Sequence, residues 1–312
     1  MRSAAIVFEK PGTLAVRRLA LNTPEASDVV VESRFSGISS GTEKMLYEGT
    51  MPAFPGMRYP LVPGYETVGV VVEAGPTSGR TVGDQVFVPG ANCYTDAAGL
   101  FGASASLLVV PGARTVQTHF QQAEEAALLA LAATAHHAVC RSARAASLVI
   151  GHGVLGRLIA RILLATGNPP PVVWETRDAR RNGAKGYVVT SPEAERDLRH
   201  DVIIDASGDA TVIDRAIRHL NRRGDLVLAG FYGERVDFAF PAAFMKEASI
   251  AIAAEFTPAD VQAVLSLVGS GRLSLDGLIT HHAAPSDAAS AYRTAFNDHD
   301  CLKMIIDWRN AA

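Results

Sequence analysis

The chain has 312 residues and a mass of 33.0 kDa, the range of two domains at about 100–200 residues each. Apolar residues make up 48% and charged residues 20%, enough to bury a sizeable core and too apolar for a disordered chain. With 29 Lys and Arg against 32 Asp and Glu, the net charge of −3 excludes a basic nucleic-acid footprint.

The N-terminus, MRSAAIVFEKPG, reads as a strand entering a turn and lacks the apolar stretch of a secretory signal. Residues 1–115 are rich in Gly, Pro and Val. AAIVF, VVVES, TVGVVVEAG, DQVFVPG and SLLVVPG predict short strands, separated by turn pairs such as Pro11-Gly12, Pro63-Gly64, Pro89-Gly90 and Pro111-Gly112. This is the texture of an irregular antiparallel β domain. From Gln121 the segment QQAEEAALLALAATAHHAVCRSA reads as helix, with a candidate break near Ala132-Ala133-Thr134. Strands then alternate with helices. SLVIG precedes helix GVLGRLIARILLATG, PVVWE a helix around Asp178 to Gly183, YVVT a helix in SPEAERDLR, and DVIIDA a helix in TVIDRAIRHLNRRG. DLVLAGF and ASIAIAAEF complete six strands. Such alternation predicts an α/β fold with a six-stranded doubly wound parallel sheet. After Phe256 come helix PADVQAVLSLVGSG, strand LITHH, helix SDAASAYRTAFND and strand CLKMIIDW. No run of about 18 apolar residues predicts a membrane-spanning helix, so a cytoplasmic protein is expected. The apolar strand ASIAIAAEF could pair across a homodimer axis or be covered within one chain.

The sharpest motif is Gly151-His152-Gly153-Val154-Leu155-Gly156, placed between a strand and a helix. That context marks a dinucleotide site. Gly151 permits the tight turn, Gly153 lets a pyrophosphate approach the backbone, and Gly156 lets the helix pack on the sheet. With Val154 and Leu155 they open a helix whose free N–H groups attract phosphate. Glu175 ends the second strand, 19 residues after Gly156. An acid there accepts bonds from the adenine ribose hydroxyls and repels a 2′-phosphate, so NAD is the expected cofactor. Arg177, Arg180 and Arg181 follow, and one of them could instead meet a 2′-phosphate. Ala206-Ser207-Gly208 and Gly230-Phe231 end the fourth and fifth strands, at the edge where such sheets bind ligands.

These features resemble the medium-chain dehydrogenase/reductase family over nearly the whole chain. Gly37-Ile38-Ser39 with Gly41-Thr42-Glu43, Pro63-Gly64-Tyr65-Glu66, Gly83-Asp84-Gln85-Val86, Leu278-Ile279-Thr280-His281 and Ala291-Tyr292 are similar to its motifs. The resemblance implies a GroES-like irregular β-barrel catalytic domain over 1–128, completed by 256–312, and a Rossmann NAD-binding domain over 129–255. The strings FSGISSGTEKMLYEG, MPAFPGMRYPLVPGYE, VFVPGANCY, GLFGASASLLVVP, VIGHGVLGRLIAR and VVWETRDARR resemble the family's bacteriochlorophyll-biosynthesis branch. That branch implies a chlorophyllide-type tetrapyrrole partner, whose 3-(1-hydroxyethyl) group is oxidised to 3-acetyl with NAD as hydride acceptor.

Zinc members of the family bind their catalytic metal through Cys, His and a third Cys or Glu. Here Ser39, Tyr65 and Ala130 stand at those positions, and hydroxyl and phenol are poor zinc donors. Cys93, Cys140 and Cys301 form no Cys-x-x-Cys pair for a structural zinc lobe or a disulfide framework. No metal is expected. Alcohol oxidation then needs a hydrogen-bonding relay. The resemblance assigns this to Thr42, with Ser39 and Tyr65 in the same cleft, Glu66 behind them, and His136 or His137 from the inter-domain helix. Adjacent helix positions point about 100° apart, so at most one of the two histidines faces the site easily, and His137 is the expected partner. Ser39 and Tyr65 could equally fill space left by the metal, Thr42 could cap backbone, and the histidines could be structural. A flat macrocycle needs an apolar mouth. Tyr47, Phe54, Met57 and Phe101 are its candidate borders together with Phe231, and Arg58 or Lys44 could meet a propionate. The same residues could instead form core. Two other functions fit the sequence: a zinc-free quinone or enone reductase of the same fold, and a tetrapyrrole-binding protein with a vestigial dinucleotide site.

Overall fold

The short Val-rich runs and Gly/Pro turns of the first third fold as strands joined by tight turns, and the later alternating pattern folds as a parallel sheet. The structure is a computed structural model that describes residues 1–53, 55–195 and 198–310. It divides into two units, Met1–Ala130 with Ile279–Ala312, and Leu131–Leu278.

The first unit opens with β1 (Arg2–Lys10), β2 (Thr13–Ala20) and the long β3 (Asp28–Ile38). A short helix α1 (Thr42–Glu48) follows, then β4 (Leu61–Val62), β5 (Thr67–Ala74), β6 (Gln85–Val88), β7 (Ala98–Gly99), β8 (Leu107–Pro111) and β9 (Val116–Gln117). The sequence analysis predicts no helix at α1. Gly49 ends it in the left-handed region at φ 73°, a conformation that glycine adopts without penalty.

The second unit begins within α2 (Leu129–Val139). It continues through β10 (Leu148–Ile150), α3 (Val154–Ala165), β11 (Val172–Trp174), β12 (Val188–Thr190), β13 (His200–Asp205), α4 (Ile213–His219), β14 (Leu220–Leu228), α5 (Phe240–Lys246), β15 (Ser249–Ile252) and α6 (Pro258–Gly269). The chain then returns to the first unit as β16 (His281–Ala283), α7 (Ala288–Asn297) and β17 (Met304–Asp307).

In the second unit all six strands run parallel in the order β12-β11-β10-β13-β14-β15, the doubly wound order expected from the sequence. Register decides where the site lies. Ile150 pairs with Trp174 and with Asp205, and Asp205 pairs with Leu228. The segments that follow these residues, at Gly151, Glu175, Ala206 and Ala229, therefore emerge at one edge. Leu148, Val149, Ile203 and Ile204 are buried, as strands covered on both faces must be. β12 and β15 are the edge strands, and Ile252 of β15 is 60% exposed.

Among the described residues the two expected crossover helices show only single 3-10 turns, Asp178–Arg181 and Pro192–Glu195, with residues 196 and 197 of the second outside the described residues. Carbonyls at Arg180 and Asn182 are taken by the Arg157 guanidinium at 3.2 and 2.7 Å. Gly183 turns left-handed at φ 82°, so the helix cannot propagate. The predicted break near Ala132 is absent: a 3-10 turn, Ala123–Leu128, runs into α2, and Ala132 and Ala133 are fully buried.

One boundary differs from the expected domains. Residues 256–278, assigned by sequence to the catalytic domain, belong to the second unit. The reason is a set of polar ties. Asp260 sits in a capping box with Thr257 and also meets His136 Nδ1 at 2.7 Å and His137 Nδ1 at 3.1 Å. The Arg161 guanidinium donates to the carbonyls of Ser274 and Asp276 at 2.9 and 3.0 Å.

In the first unit β17 pairs antiparallel with β3, matching Met304 with Ile38. The seven-stranded sheet, ordered β16-β17-β3-β5-β6-β9 with β8 also on β3, is thus completed by the end of the chain. Phe8, Leu46, Leu61, Tyr292 and Trp308 build one core cluster there.

Burial works to raise the Asp260 carboxyl, but Thr257 and the two histidines outweigh it and hold the group at about 2. A depressed folded value stabilises above the unfolded value and is lost as pH falls through the folded one. Asp260→Ala should cost about 2–3 kcal/mol, a cap plus hydrogen bonds to a charge. In urea unfolding the wild type should lose this increment between about pH 4 and 2, and the variant should not. An unchanged midpoint at pH 7 would mean that α6 is held by its apolar face alone.

Candidate active site

The carboxyl edge of the parallel sheet carries the dinucleotide cradle. Gly151 adopts φ 95°, and a side chain there would press on Ser207. A side chain on Gly156 would collide with the Gly151 carbonyl, so α3 can approach β10 only with glycine at that position. No side chain caps α3 at Gly153; its first N–H groups, from Val154 and Leu155 onward, are left for a phosphate.

Glu175 is 8% exposed. Its Oε2 accepts from the His152 amide at 3.2 Å and its Oε1 from the Arg177 amide at 2.9 Å. The Arg180 guanidinium lies 4.0 Å from where a Cβ on Gly153 would stand, above the pyrophosphate turn. Buried Asp205 shapes the next loop: its Oδ1 accepts from Ser207 N at 2.8 Å and its Oδ2 from the Tyr232 hydroxyl at 2.7 Å. The Gly230 amide donates to the Asp205 carbonyl at 3.1 Å, and a side chain on Gly230 would strike Gly208. Ala206, Ser207, Gly208 and Gly230 therefore gather beside the glycine loop. Phe231 is 51% exposed.

The first unit gathers a second constellation. Ser39 follows β3, and the Tyr65 hydroxyl donates to its Oγ at 2.7 Å. The Thr42 hydroxyl lies beside the same phenol, and Phe101 stands edge-on to the Tyr65 ring at 5.2 Å. Glu43 and Glu66, just beyond Thr42 and Tyr65, are fully buried. The Lys303 ammonium, 2% exposed, pairs with Glu66 Oε2 and donates to the Ile38 carbonyl at 3.1 Å. One cation thus ties the residue before Ser39 to the residue after Tyr65. Glu43 accepts from the Tyr292 hydroxyl at 2.7 Å and from the Ser39 amide at 3.2 Å.

The ammonium pairs with Glu66, and Glu43 lies near enough to feel the charges of both. Burial pushes Glu43 up to about 8, opposed by the Tyr292 bond and reinforced by Glu66. Burial also pushes Glu66 upward while Lys303 pulls it back. Tyr65 is pushed well up by burial and then by Glu66, so its phenol stays neutral. The sequence analysis placed Ser39, Thr42, Tyr65 and Glu66 together, and they are together. It passed over Lys303, although a lone lysine in the apolar run CLKMIIDW was a signal.

The remaining candidates have other contacts within their own units. His136 and His137 both turn to Asp260 despite their angular separation, one on each carboxylate oxygen, so the structure gives His137 a helix-tying contact. Cys140 stands 3.9 Å from the His136 ring nitrogens. His136, Cys140 and Asp260 have ligand atoms within 4.8 Å of one another, but both Asp260 oxygens are already committed. Tyr47 and Met57, expected at the substrate mouth, pack instead against the Phe8–Tyr292 core, where Tyr47 meets Phe8 edge-on and donates to the Gly12 carbonyl at 2.9 Å. Helix α1 carries Tyr47 onto this core. Arg58 is exposed, Lys44 pairs with Glu48 at 3.8 Å, and Phe54 lies outside the described residues. Among the described residues no helix is long and apolar enough to cross a membrane.

Residues 25–120 match the alcohol dehydrogenase GroES-like domain. The whole chain aligns with the whole of the 2-desacetyl-2-hydroxyethyl bacteriochlorophyllide A dehydrogenase of Cereibacter sphaeroides at 52% identity. The chain belongs to the medium-chain dehydrogenase/reductase family. Solved structures agree in fold. An alcohol dehydrogenase from Escherichia coli CFT073 complexed with NADH superposes with a TM-score of 0.82 at 23% identity, over 98% of this chain and 99% of that one. A cobalt- and zinc-bound thermostable alcohol dehydrogenase from Pyrobaculum aerophilum superposes with a TM-score of 0.84 at 22% identity, over 98% and 100%. Both likenesses are of fold.

The zinc of such relatives does not suit the donors in this family member. Ser39 and Tyr65 offer two neutral hydroxyls already bonded to each other, and the Lys303 ammonium sits directly behind them on Glu66. Zinc prefers thiolate, imidazole or carboxylate, and a fixed cation repels a second one.

A carboxyl raised on folding adds stability below its unfolded value of about 4.5, and that stability fades as pH rises through about 8. Chemical denaturation between pH 5 and 8.5 should show a decline on the order of 4 kcal/mol, absent in Glu43→Gln. The same slope in both proteins would place the titration elsewhere.

Proposed function

We propose that this dehydrogenase oxidises the 3-(1-hydroxyethyl) group of a bacteriochlorophyllide to 3-acetyl, with NAD as hydride acceptor and without zinc. The full-length likeness to an enzyme named for that substrate, at 52% identity, carries the substrate assignment. Glu175 at the end of β11 supports NAD, because a buried carboxylate there meets ribose hydroxyls and repels a 2′-phosphate.

The reaction removes a hydride from the carbinol carbon to the nicotinamide and a proton from the carbinol oxygen. Tyr65 and Ser39 are the proposed partners of that oxygen. The Tyr65 phenol is neutral, so it serves as a hydrogen-bond donor and proton conduit rather than as a phenolate base. The paired hydroxyls, with Thr42 beside them, can pass a proton by exchanging donor and acceptor roles. Lys303, Glu66 and Glu43 hold the pair in place through the Ile38 carbonyl and the Ser39 amide.

Mixing 3-(1-hydroxyethyl) bacteriochlorophyllide a and NAD with metal-analysed protein should couple a red shift of the pigment to NADH formation, with less than stoichiometric zinc. Tyr65→Phe should lower kcat by about 10²-fold, the loss of one oriented donor, with little change in KM. Turnover lost to a chelator and restored by zinc would overturn the metal-free site, and no turnover with NAD or NADP would overturn the substrate.

A further inference from the structure

The second position of the glycine loop is a buried histidine, and nothing in the dehydrogenase reaction calls for one there. His152 is fully buried between the glycine turn and the loop after β11. Its Nδ1 meets the Arg180 carbonyl at 2.6 Å and its Nε2 meets the Tyr187 hydroxyl at 2.9 Å. A carbonyl only accepts, so Nδ1 carries the proton and Nε2 accepts from Tyr187. Burial lowers the imidazole to about 4, so it is neutral at physiological pH. The backbone of the same residue is used as well. Its amide donates to Glu175 Oε2, and its carbonyl accepts from Arg157 Nε at 3.1 Å. Arg157 then reaches the Arg180 and Asn182 carbonyls. Gly183 lies against the Arg157 guanidinium at 2.6 Å from a notional Cβ, so this loop is moulded to the clamp.

We propose that His152 is a specificity-determining positioning residue, which anchors the 175–182 loop so that Glu175 addresses the adenine ribose while Arg180 addresses the pyrophosphate and not a 2′-phosphate. The inference rests on the NAD preference proposed above. Two observations fix the direction of Arg180. Its carbonyl is held from two sides, by His152 and Arg157. Its guanidinium lies over Gly153, where the chain leaves room for the pyrophosphate, whereas Glu175 occupies the ribose side of the same loop. A basic residue close behind the ribose acid would otherwise read as an NADP determinant. Here the clamp converts it into a phosphate ligand common to both cofactors.

The test is titration of the full chain with NADH and NADPH, followed by nicotinamide fluorescence, with circular dichroism and a thermal melt on every variant. Arg180→Met should weaken both cofactors by the same factor, roughly tenfold for one lost charge-assisted contact. His152→Ala should erode the preference for NADH over NADPH by about tenfold, since the ribose acid loses its fixed position. His152→Asn, whose amide can still donate to the Arg180 carbonyl, should restore part of that preference, which mere core filling would not do. Should His152→Ala fail to fold, the Asn and Met variants decide. Loss of NADPH binding alone in Arg180→Met would make Arg180 a 2′-phosphate ligand and overturn the inference. An unchanged cofactor ratio in a folded His152 variant would reduce the histidine to packing and overturn it too. Wild-type protein that prefers NADPH would instead refute the NAD reading from which the inference starts.

Discussion

The arrangement of the first unit depends on a buried ammonium. A lysine that is 2% exposed persists only where its charge is met, because an unpaired ion inside a protein costs several kcal/mol. Lys303 is met by Glu66 and by the Ile38 carbonyl. Those partners lie on segments far apart in sequence, so the charge can be satisfied only when the C-terminal β17 has docked on β3. Fold completion and site assembly are therefore one event. The pair that links Tyr65 to Ser39 is formed by the same interaction that seals the sheet.

Glu43 adds a second tie at the same place. It takes the Ser39 amide and the Tyr292 hydroxyl, and α7 thereby joins the site from behind. Such buried polar networks contribute little net stability but penalise any arrangement that leaves one member unpaired. Here the network holds the Ser39 and Tyr65 hydroxyls at hydrogen-bond distance. The second unit uses the same principle with neutral groups. His152, Tyr187 and the carbonyls of the 175–182 loop are satisfied only in one loop conformation, which also orients Glu175.

The two units differ in how openly they are written. In the parallel sheet, strand periodicity and the glycine spacing act locally, and the strand order with its aligned carboxyl ends follows from short right-handed crossovers. The crossover helices were less legible, because 178–183 looks helical until Arg157 captures its carbonyls. The 256–278 segment was misassigned for a similar reason. Its helix could pack on another surface, and ties such as those of Asp260, Arg161 and Arg272 select the second unit.

By itself the sequence determined the α/β class, the dinucleotide turn, the absence of soft metal donors at Ser39 and Tyr65, and the family. All of these are local patterns or strings, set by backbone stereochemistry and side-chain chemistry. Tertiary structure alone decided that Tyr47 and Met57 are core, that His136 and His137 serve Asp260, and that Lys303 stands behind the hydroxyl pair. Those outcomes depend on which buried charge finds which partner across long stretches of chain, and sequence spacing carries no record of that.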